Sequence, residues 1–198
     1  ENPERSQYLK IAIIMLISIT CLSFVFQILQ TSLPKTMDIR LSSSMDLSTS
    51  EIGYIVSAIY IVSGLMNYVG GILADKFSEK IIYAIGIVGQ GCLLLLIISL
   101  SNYWLIVLCL IIVAFNSSIL PAENLLLARF APEKYQSLVY GIKFIISFSV
   151  GPIALILISK SYELTNEFSY LYLTSGVIML LLFMVVLTLP VKKQTLAA

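Results

Sequence analysis

The sequence predicts an all-α integral membrane protein of six transmembrane helices, and three observations carry that prediction. The 198-residue chain is 59% hydrophobic and only 12% charged, about half the charged share of a soluble domain. Its charges cluster between six apolar runs, and each run has the roughly 20 residues a helix needs to cross a bilayer core. Lipid satisfies no backbone N–H or C=O group, and barrel strands are shorter and alternate, so helix is the spanning form.

The first run covers residues 9–30. It is too long for a signal-peptide core and lacks a small-residue cleavage site, so it reads as a membrane span. Leu33-Pro34 is expected to close it, since Pro removes a donor and disfavours helix in the residue before it. Lys35 to Leu41 would then form one or two surface turns in the longest connection, residues 31–50. The second run covers 52–74. Ahead of it, Ser48-Thr49-Ser50-Glu51 has the capping-box pattern, a hydroxyl followed three residues later by Glu.

The third and fourth runs cover 81–100 and 103–130; the fourth is longer than a bilayer needs, so its last turns are expected to protrude. The fifth, 138–159, carries Gly151-Pro152, an expected kink. The sixth, 170–189, is almost purely apolar from Val177 to Leu187, as a peripheral, lipid-facing helix would be. The bundle is thus assigned to residues 1–191, with 192–198 as a short cytoplasmic tail. A start on Glu1 rather than Met reads as a fragment or a trimmed chain.

Orientation follows from the Lys and Arg of the short loops. Of the 12 basic residues, eight lie on the face holding both termini: Arg5, Lys10, Lys76, Lys80, Arg129, Lys134, Lys192 and Lys193. The other face has Lys35, Arg40 and Lys160, and Lys143 lies inside the fifth helix. Both termini are therefore expected in the cytoplasm, with the protein in an inner membrane of bacterial type.

Composition also narrows the chemistry. A formal net charge of +1 with no basic tract gives no sign of a nucleic-acid partner. Cys21, Cys92 and Cys109 sit in apolar runs without C-x-x-C spacing and read as small packing residues. The chain has no histidine, which removes most zinc sites and the Ser-His and Cys-His nucleophile pairs. No enzyme activity, cofactor or metal is expected.

Polar side chains inside a membrane are costly and should face protein or a watery cavity. Thr20, Ser23, Gln27 and Gln30 fall along one face of the first helix. Asn116 and Glu123 are seven apart on the fourth helix with Pro121 between them, and Ser117 and Asn124 form a second such pair. Lys143, Ser147 and Gly151 are spaced by four on the fifth.

Glu123 and Lys143 both fall about 9 Å inside their helix ends at 1.5 Å per residue, on adjacent antiparallel helices, so an ion pair is geometrically open to them. Glu123 then reads as a proton-titrating or substrate-contacting group. The alternative is that Lys143 snorkels to the interface and Glu123 packs near the water boundary. Tyr60, Gly64, Asn67 and Gly71 form a stripe on the second helix that reads as a packing face rather than a substrate-contacting one. Gly86, Gly89 and Gly91 around Gln90 read as packing too.

The stretch Gly71-x-Leu73-Ala74-Asp75-Lys76-x-Ser78-Glu79-Lys80 resembles the cytoplasmic loop motif of the major facilitator superfamily, G-x-L-A-D-R/K-x-G-R/K-R/K. That motif lies between the second and third helices of each six-helix half, and the order of elements here fits as well. The resemblance implies one half of such a bundle, built as a 3+3 inverted repeat, with the first and fourth helices lining a cavity and the third and sixth outside. It also implies a conformational gating role for Gly71, Leu73, Asp75, Lys76 and Lys80. Ser78 in place of Gly and Glu79 in place of a basic residue favour the carboxy-terminal half of a bacterial member. The fifth-helix antiporter motif matches only at Gly151-Pro152, with Ser147, Leu155 and Ile156 in other positions, so antiport is not implied.

The expectation is a secondary transporter moving a small solute by alternating access, driven by a proton or solute gradient. Gln27, Gln30, Asn116 and Glu123 are expected to line the cavity, with Lys143 as the partner of Glu123. The expected partners are a small-molecule substrate, the bilayer, and either the other six-helix half or a second copy. Against this stand a non-transporting six-helix scaffold or assembly subunit and, further off, an intramembrane enzyme.

Overall fold

The structure, a computed structural model, describes residues 3–189. Six α-helices follow one another: α1 Pro3–Met45, α2 Thr49–Lys76, α3 Glu79–Leu96, α4 Asn102–Phe130, α5 Gln136–Thr165 and α6 Ser169–Leu187, with a short 3-10 turn, Glu133–Tyr135, before α5. All six are long and apolar enough to cross a membrane. The tail expected at 192–198 lies outside the described residues, as do Lys192 and Lys193 and the side chain of Arg5.

The helices pack with an internal symmetry. The neighbouring pairs are α2 with α4, α1 with α5, α3 with α4, α1 with α6, α1 with α2, α4 with α5, α2 with α3, α5 with α6, α3 with α6 and α1 with α4. Exchanging α1 for α4, α2 for α5 and α3 for α6 returns the same set. That closure is what two three-helix units related by a two-fold axis in the membrane plane require, the architecture of an inverted repeat.

Buried hydroxyl contacts hold α1 at the centre. Ser18 Oγ and the Tyr83 hydroxyl of α3 are 2.5 Å apart, and the Tyr172 hydroxyl of α6 lies 2.9 Å from Ser32 Oγ and 2.7 Å from Thr36 Oγ1. Both tyrosines are fully buried. Ser32 and Thr36 also donate to carbonyls one turn back, Ile28 and Ser32, a local bond that leaves the hydroxyl oxygen free to accept.

The first helix differs from its sequence expectation. It neither ends near Gln30 nor stops at Pro34 but continues to Met45, so Lys35 to Leu41 are helical rather than separate surface turns. Leu33, Met37 and Leu41 are fully buried on this extension, and that burial outweighs the local cost of proline. The donor missing at Pro34 leaves the Gln30 carbonyl without its intrahelical partner, and the Tyr60 hydroxyl of α2 donates to it at 3.4 Å. At about 64 Å from 43 residues, α1 exceeds a hydrocarbon core of about 30 Å roughly twofold.

Other bounds shift less. Helix α3 stops at Leu96, not residue 100, while α5 runs from Gln136 to Thr165 and passes through Pro152 without a break. The capping box forms at α2, with Ser48 Oγ accepting from the Glu51 N–H and the Glu51 carboxylate accepting from the Ser48 N–H.

The packing face of α2 is not the stripe Tyr60, Gly64, Asn67, Gly71. A side chain at Gly64 would meet nothing within 4 Å, whereas one at Gly70 would lie 2.7 Å from the Ser118 backbone of α4. Ser63 contacts Ser117 Oγ, and Ser118 Oγ donates to the Met66 carbonyl at 3.2 Å. The contact ridge therefore runs one residue away from the predicted one, through Ile59, Ser63, Met66, Gly70 and Ala74. Gly86, Gly89 and Gly91 of α3 do pack closely, against Ile119, Phe115 and Met179 with Leu180. On α6, Leu173, Val177, Leu181 and Met184 form the uncovered apolar face that suits lipid.

A cation binds helix-end carbonyls at each end of the bundle. On the face opposite the termini, Arg40 donates to the carbonyls of Ile97 and Leu100, to Glu167 and to Ser169, joining the ends of α1 and α3 to the start of α6. On the terminal face, Lys80 Nζ donates to the carbonyls of Leu187 (2.8 Å) and Leu189 at the end of α6, where an unpaired C=O cluster favours a cation.

Candidate functional site

The polar side chains of four helices converge on one cavity of about 340 Å³, within the size range of small-molecule sites. Helix α1 supplies Ser23 and Gln27, α2 supplies Asn67, α4 supplies Asn116, Glu123 and Asn124, and α5 supplies Lys143 and Ser147. Helical spacing explains the grouping: 23 and 27, 116 and 123, and 143 and 147 each share one face of their helix. Phe26, Phe144 and Phe148, with Leu22, Ile119 and Leu120, form the apolar part of the wall, and Phe144 and Phe148 stack with centroids 6.4 Å apart.

At the floor of the cavity, Lys143 Nζ lies 2.6 Å from Glu123 Oε2 and 2.6 Å from Asn124 Oδ1. Both charged side chains are buried, with 8% and 3% of their side-chain surface exposed. Lys143 therefore does not snorkel to the interface. A buried ion pair stabilises little in itself, but removing one partner strands the other charge at a cost of about 3–5 kcal/mol. The second carboxylate oxygen, Glu123 Oε1, is buried with no hydrogen-bond partner among the described residues.

Three carboxamides add to this unmet capacity. Gln27, Asn67 and Asn116 line the cavity, and none of their side chains makes a hydrogen bond within the described structure. Asn116 is the tightest case, being only 8% exposed. Buried polar groups are almost always paired, so Glu123 Oε1 is the marked exception here, while half-buried Gln27 and exposed Asn67 hold their amides open to whatever enters the cavity.

Of the residues expected to line a cavity, the structure brings Gln27, Asn116, Glu123 and Lys143 together. Gln30 is exposed and lies outside this cavity; only its carbonyl is engaged, by Tyr60. Asn67 joins the wall although its stripe reads as packing, because a run of small and polar residues spaced by three and four serves either purpose. Ser23, Asn124 and Ser147 are the further members, and their sequence signal was the same spacing that marked their neighbours.

Lys143 also borders a second cavity of about 500 Å³, between α1, α4 and α5 toward the terminal face. Its lining is otherwise apolar, from Met15 and Ile19 to Leu127 and Ile146. One lysine thus separates a polar chamber from an apolar one. No cluster of three or more His, Cys, Asp or Glu side chains with metal-binding geometry occurs among the described residues.

The loop after α2 sorts its residues into two groups. A side chain added at Gly71 would place its Cβ 4.0 Å from Pro121 of α4, and Leu73 offers its carbonyl to the N–H of Phe77, which ends the helix. Asp75 and Lys76 are exposed and make no hydrogen bond or ion pair among the described residues. Lys80, in contrast, is spent on the end of α6, and Glu79 is buried in an ion pair of 2.9 Å with Arg129 of α4.

Comparison of the whole sequence with curated proteins gives no match. The family model described as Major Facilitator Superfamily matches residues 11–197, a span that takes in all six helices. With that match over nearly the whole chain, on a bundle of six membrane-crossing helices in an inverted-repeat arrangement, this multi-pass membrane protein belongs to the major facilitator superfamily of transporters.

Proposed function

We propose that the chain is one six-helix half of a secondary transporter, moving a small solute by alternating access across a bacterial inner membrane with both termini cytoplasmic. One observation carries the reading: the amides of Gln27, Asn67 and Asn116 and the buried, unpaired Glu123 Oε1 line one cavity between four spanning helices. Polar groups at such positions are expensive in lipid and mark a solute or ion path.

The bounding helices supply the rest of the argument. Only 17% of the apolar window of α2 and 28% of that of α5 is buried, against 50% for α4. Helices α2 and α5 flank the cavity, so their open faces suit a second bundle, either the other half of the same protein or another copy. Two bundles rocking about a shared site is the geometry of alternating access. Asp75 and Lys76, unengaged within this half, are free to make contacts across that joint.

Glu123 is assigned the coupling role, as a carboxylate that takes up a proton or contacts the solute while Lys143 balances its charge. The test is gradient-driven uptake into proteoliposomes by the full-length protein. Replacing Glu123 with Gln is expected to cut uptake at least tenfold, while uptake that survives unchanged removes Glu123 from the mechanism. A full-length protein that binds solute but moves none with or without a gradient favours a non-transporting scaffold.

A further inference from the structure

The geometry points to the class of solute that this half holds: an uncharged molecule carrying several hydroxyl or amide groups on one side and C–H surface on the other. The inference rests on the transport reading of the same cavity and concerns only what the cavity wall can recognise.

The wall offers hydrogen bonds without offering charge. Gln27, Asn67 and Asn116 each present an amide donor pair and an acceptor, none committed to another side chain. The one anion and one cation of the cavity neutralise each other at 2.6 Å. An anionic solute would meet a lysine whose charge Glu123 already compensates, and drawing Lys143 away would strand a buried carboxylate. A cationic solute would meet a carboxylate whose charge is already compensated. An uncharged donor, however, can bond Glu123 Oε1, the oxygen without a partner, and leave the ion pair intact.

Shape and surface agree. Ser23 and Ser147 bond each other at 2.7 Å, joining α1 and α5 in the wall that also holds Gln27. Phe26, Phe144 and Phe148 line the cavity and are 36%, 57% and 77% exposed, so their rings do not fill the core and leave apolar surface uncovered beside the amides. A polyol or sugar-like solute, with hydroxyls toward the amides and C–H groups over the rings, satisfies both walls at once.

The test is thermal stabilisation of the purified full-length protein by three probe sets at equal concentration: glucose, mannitol and phenyl glucoside; choline and putrescine; lactate and succinate. Stabilisation by the uncharged set, unchanged between low and high salt, supports the inference, because screening acts only on charge. Asn116→Ala is then expected to weaken that binding about tenfold, the loss of one hydrogen bond to a neutral group. Asn67→Ala, at an exposed position with no side-chain hydrogen bond among the described residues, should do the same if Asn116→Ala misfolds. Stabilisation by a charged set with salt dependence overturns the inference, as does no stabilisation by any uncharged probe. Counterflow of the bound probe in proteoliposomes separates the two levels. Counterflow of a charged probe sinks the solute class and keeps the transporter; binding of an uncharged probe without counterflow keeps the class and sinks transport.

Discussion

Lys143 Nζ sits 2.6 Å from Glu123 Oε2, and Asn124 Oδ1 takes a second of its protons at the same distance. Two buried charges on neighbouring helices therefore depend on each other. Lys143→Met should destabilise the protein by about 3–5 kcal/mol, because it leaves a buried carboxylate without a cation. The double variant Glu123→Gln with Lys143→Met should recover most of that loss, since a neutral pair carries no stranded charge. Thermal unfolding of the three proteins in one detergent reads the cycle. Equal losses in the single and double variants would mean that the lysine acts through packing alone.

The close approach of α2 and α4 rests on a residue that periodicity passed over. A Cβ at Gly70 would stand 2.7 Å from backbone atoms of Ser118, which cannot move aside as a side-chain tip can. Gly70→Val should therefore cost about 1–3 kcal/mol or more by overpacking. Gly64→Ala, facing open space, should fall within about 0.5 kcal/mol of the parent. If the two variants unfold at the same temperature, the ridge is placed wrongly.

What could be read from the sequence divides along the same line. Six spans follow from run length against bilayer thickness, a constraint that acts on each helix separately. The Glu123 and Lys143 pair was within reach because both residues could be placed by depth from the ends of adjacent helices. The end of α1 was not, since Pro34 is offset by tertiary contacts, the burial of Leu33, Met37 and Leu41 and the Tyr60 hydroxyl arriving from another helix. Nor was the choice between the Gly64 and Gly70 faces, because residues spaced by three and four describe a stripe without saying what faces it. Gln30 fell outside the cavity for that reason, and Asn67 fell inside it.

At the face opposite the termini, Glu167 accepts from Ser169 Oγ at 2.7 Å and from Arg40 at 3.2 Å. The Ser169 hydrogen bond, with the Arg40 charge behind it, holds this carboxyl below its ordinary range. A carboxyl with a lowered folded pKa stabilises above its unfolded value, about 4.3, and that contribution fades as pH falls through the folded value. With 45% of its side chain exposed, Glu167 should contribute only about a few tenths of a kcal/mol after screening. Glu167→Gln should flatten the acid side of the stability profile slightly and leave it unchanged near neutral pH apart from that offset. Arg40→Ala should cost more, about 1–3 kcal/mol, because the carbonyls of Ile97 and Leu100 also lose their donor. Thermal unfolding between pH 3 and pH 7 separates these effects; an acid limb that Glu167→Gln leaves untouched would remove this carboxyl from it.

The loop after α2 carries a stability role and a free role on neighbouring residues. Glu79 keeps 10% of its side-chain surface exposed and Arg129 keeps 28%, so the carboxylate is the member that suffers when the pair is broken. Arg129→Ala should consequently destabilise more than Glu79→Gln, which leaves a cation able to reach water. Asp75→Asn should leave stability unchanged within about 0.5 kcal/mol, as befits an exposed side chain without a partner among the described residues. Under the proposed transport function its effect is expected in uptake, where loss of a contact made by Asp75 to a second bundle would shift the balance between access states. Asp75→Asn that unfolds early, or that transports as the parent does, would place the working contact elsewhere on the loop.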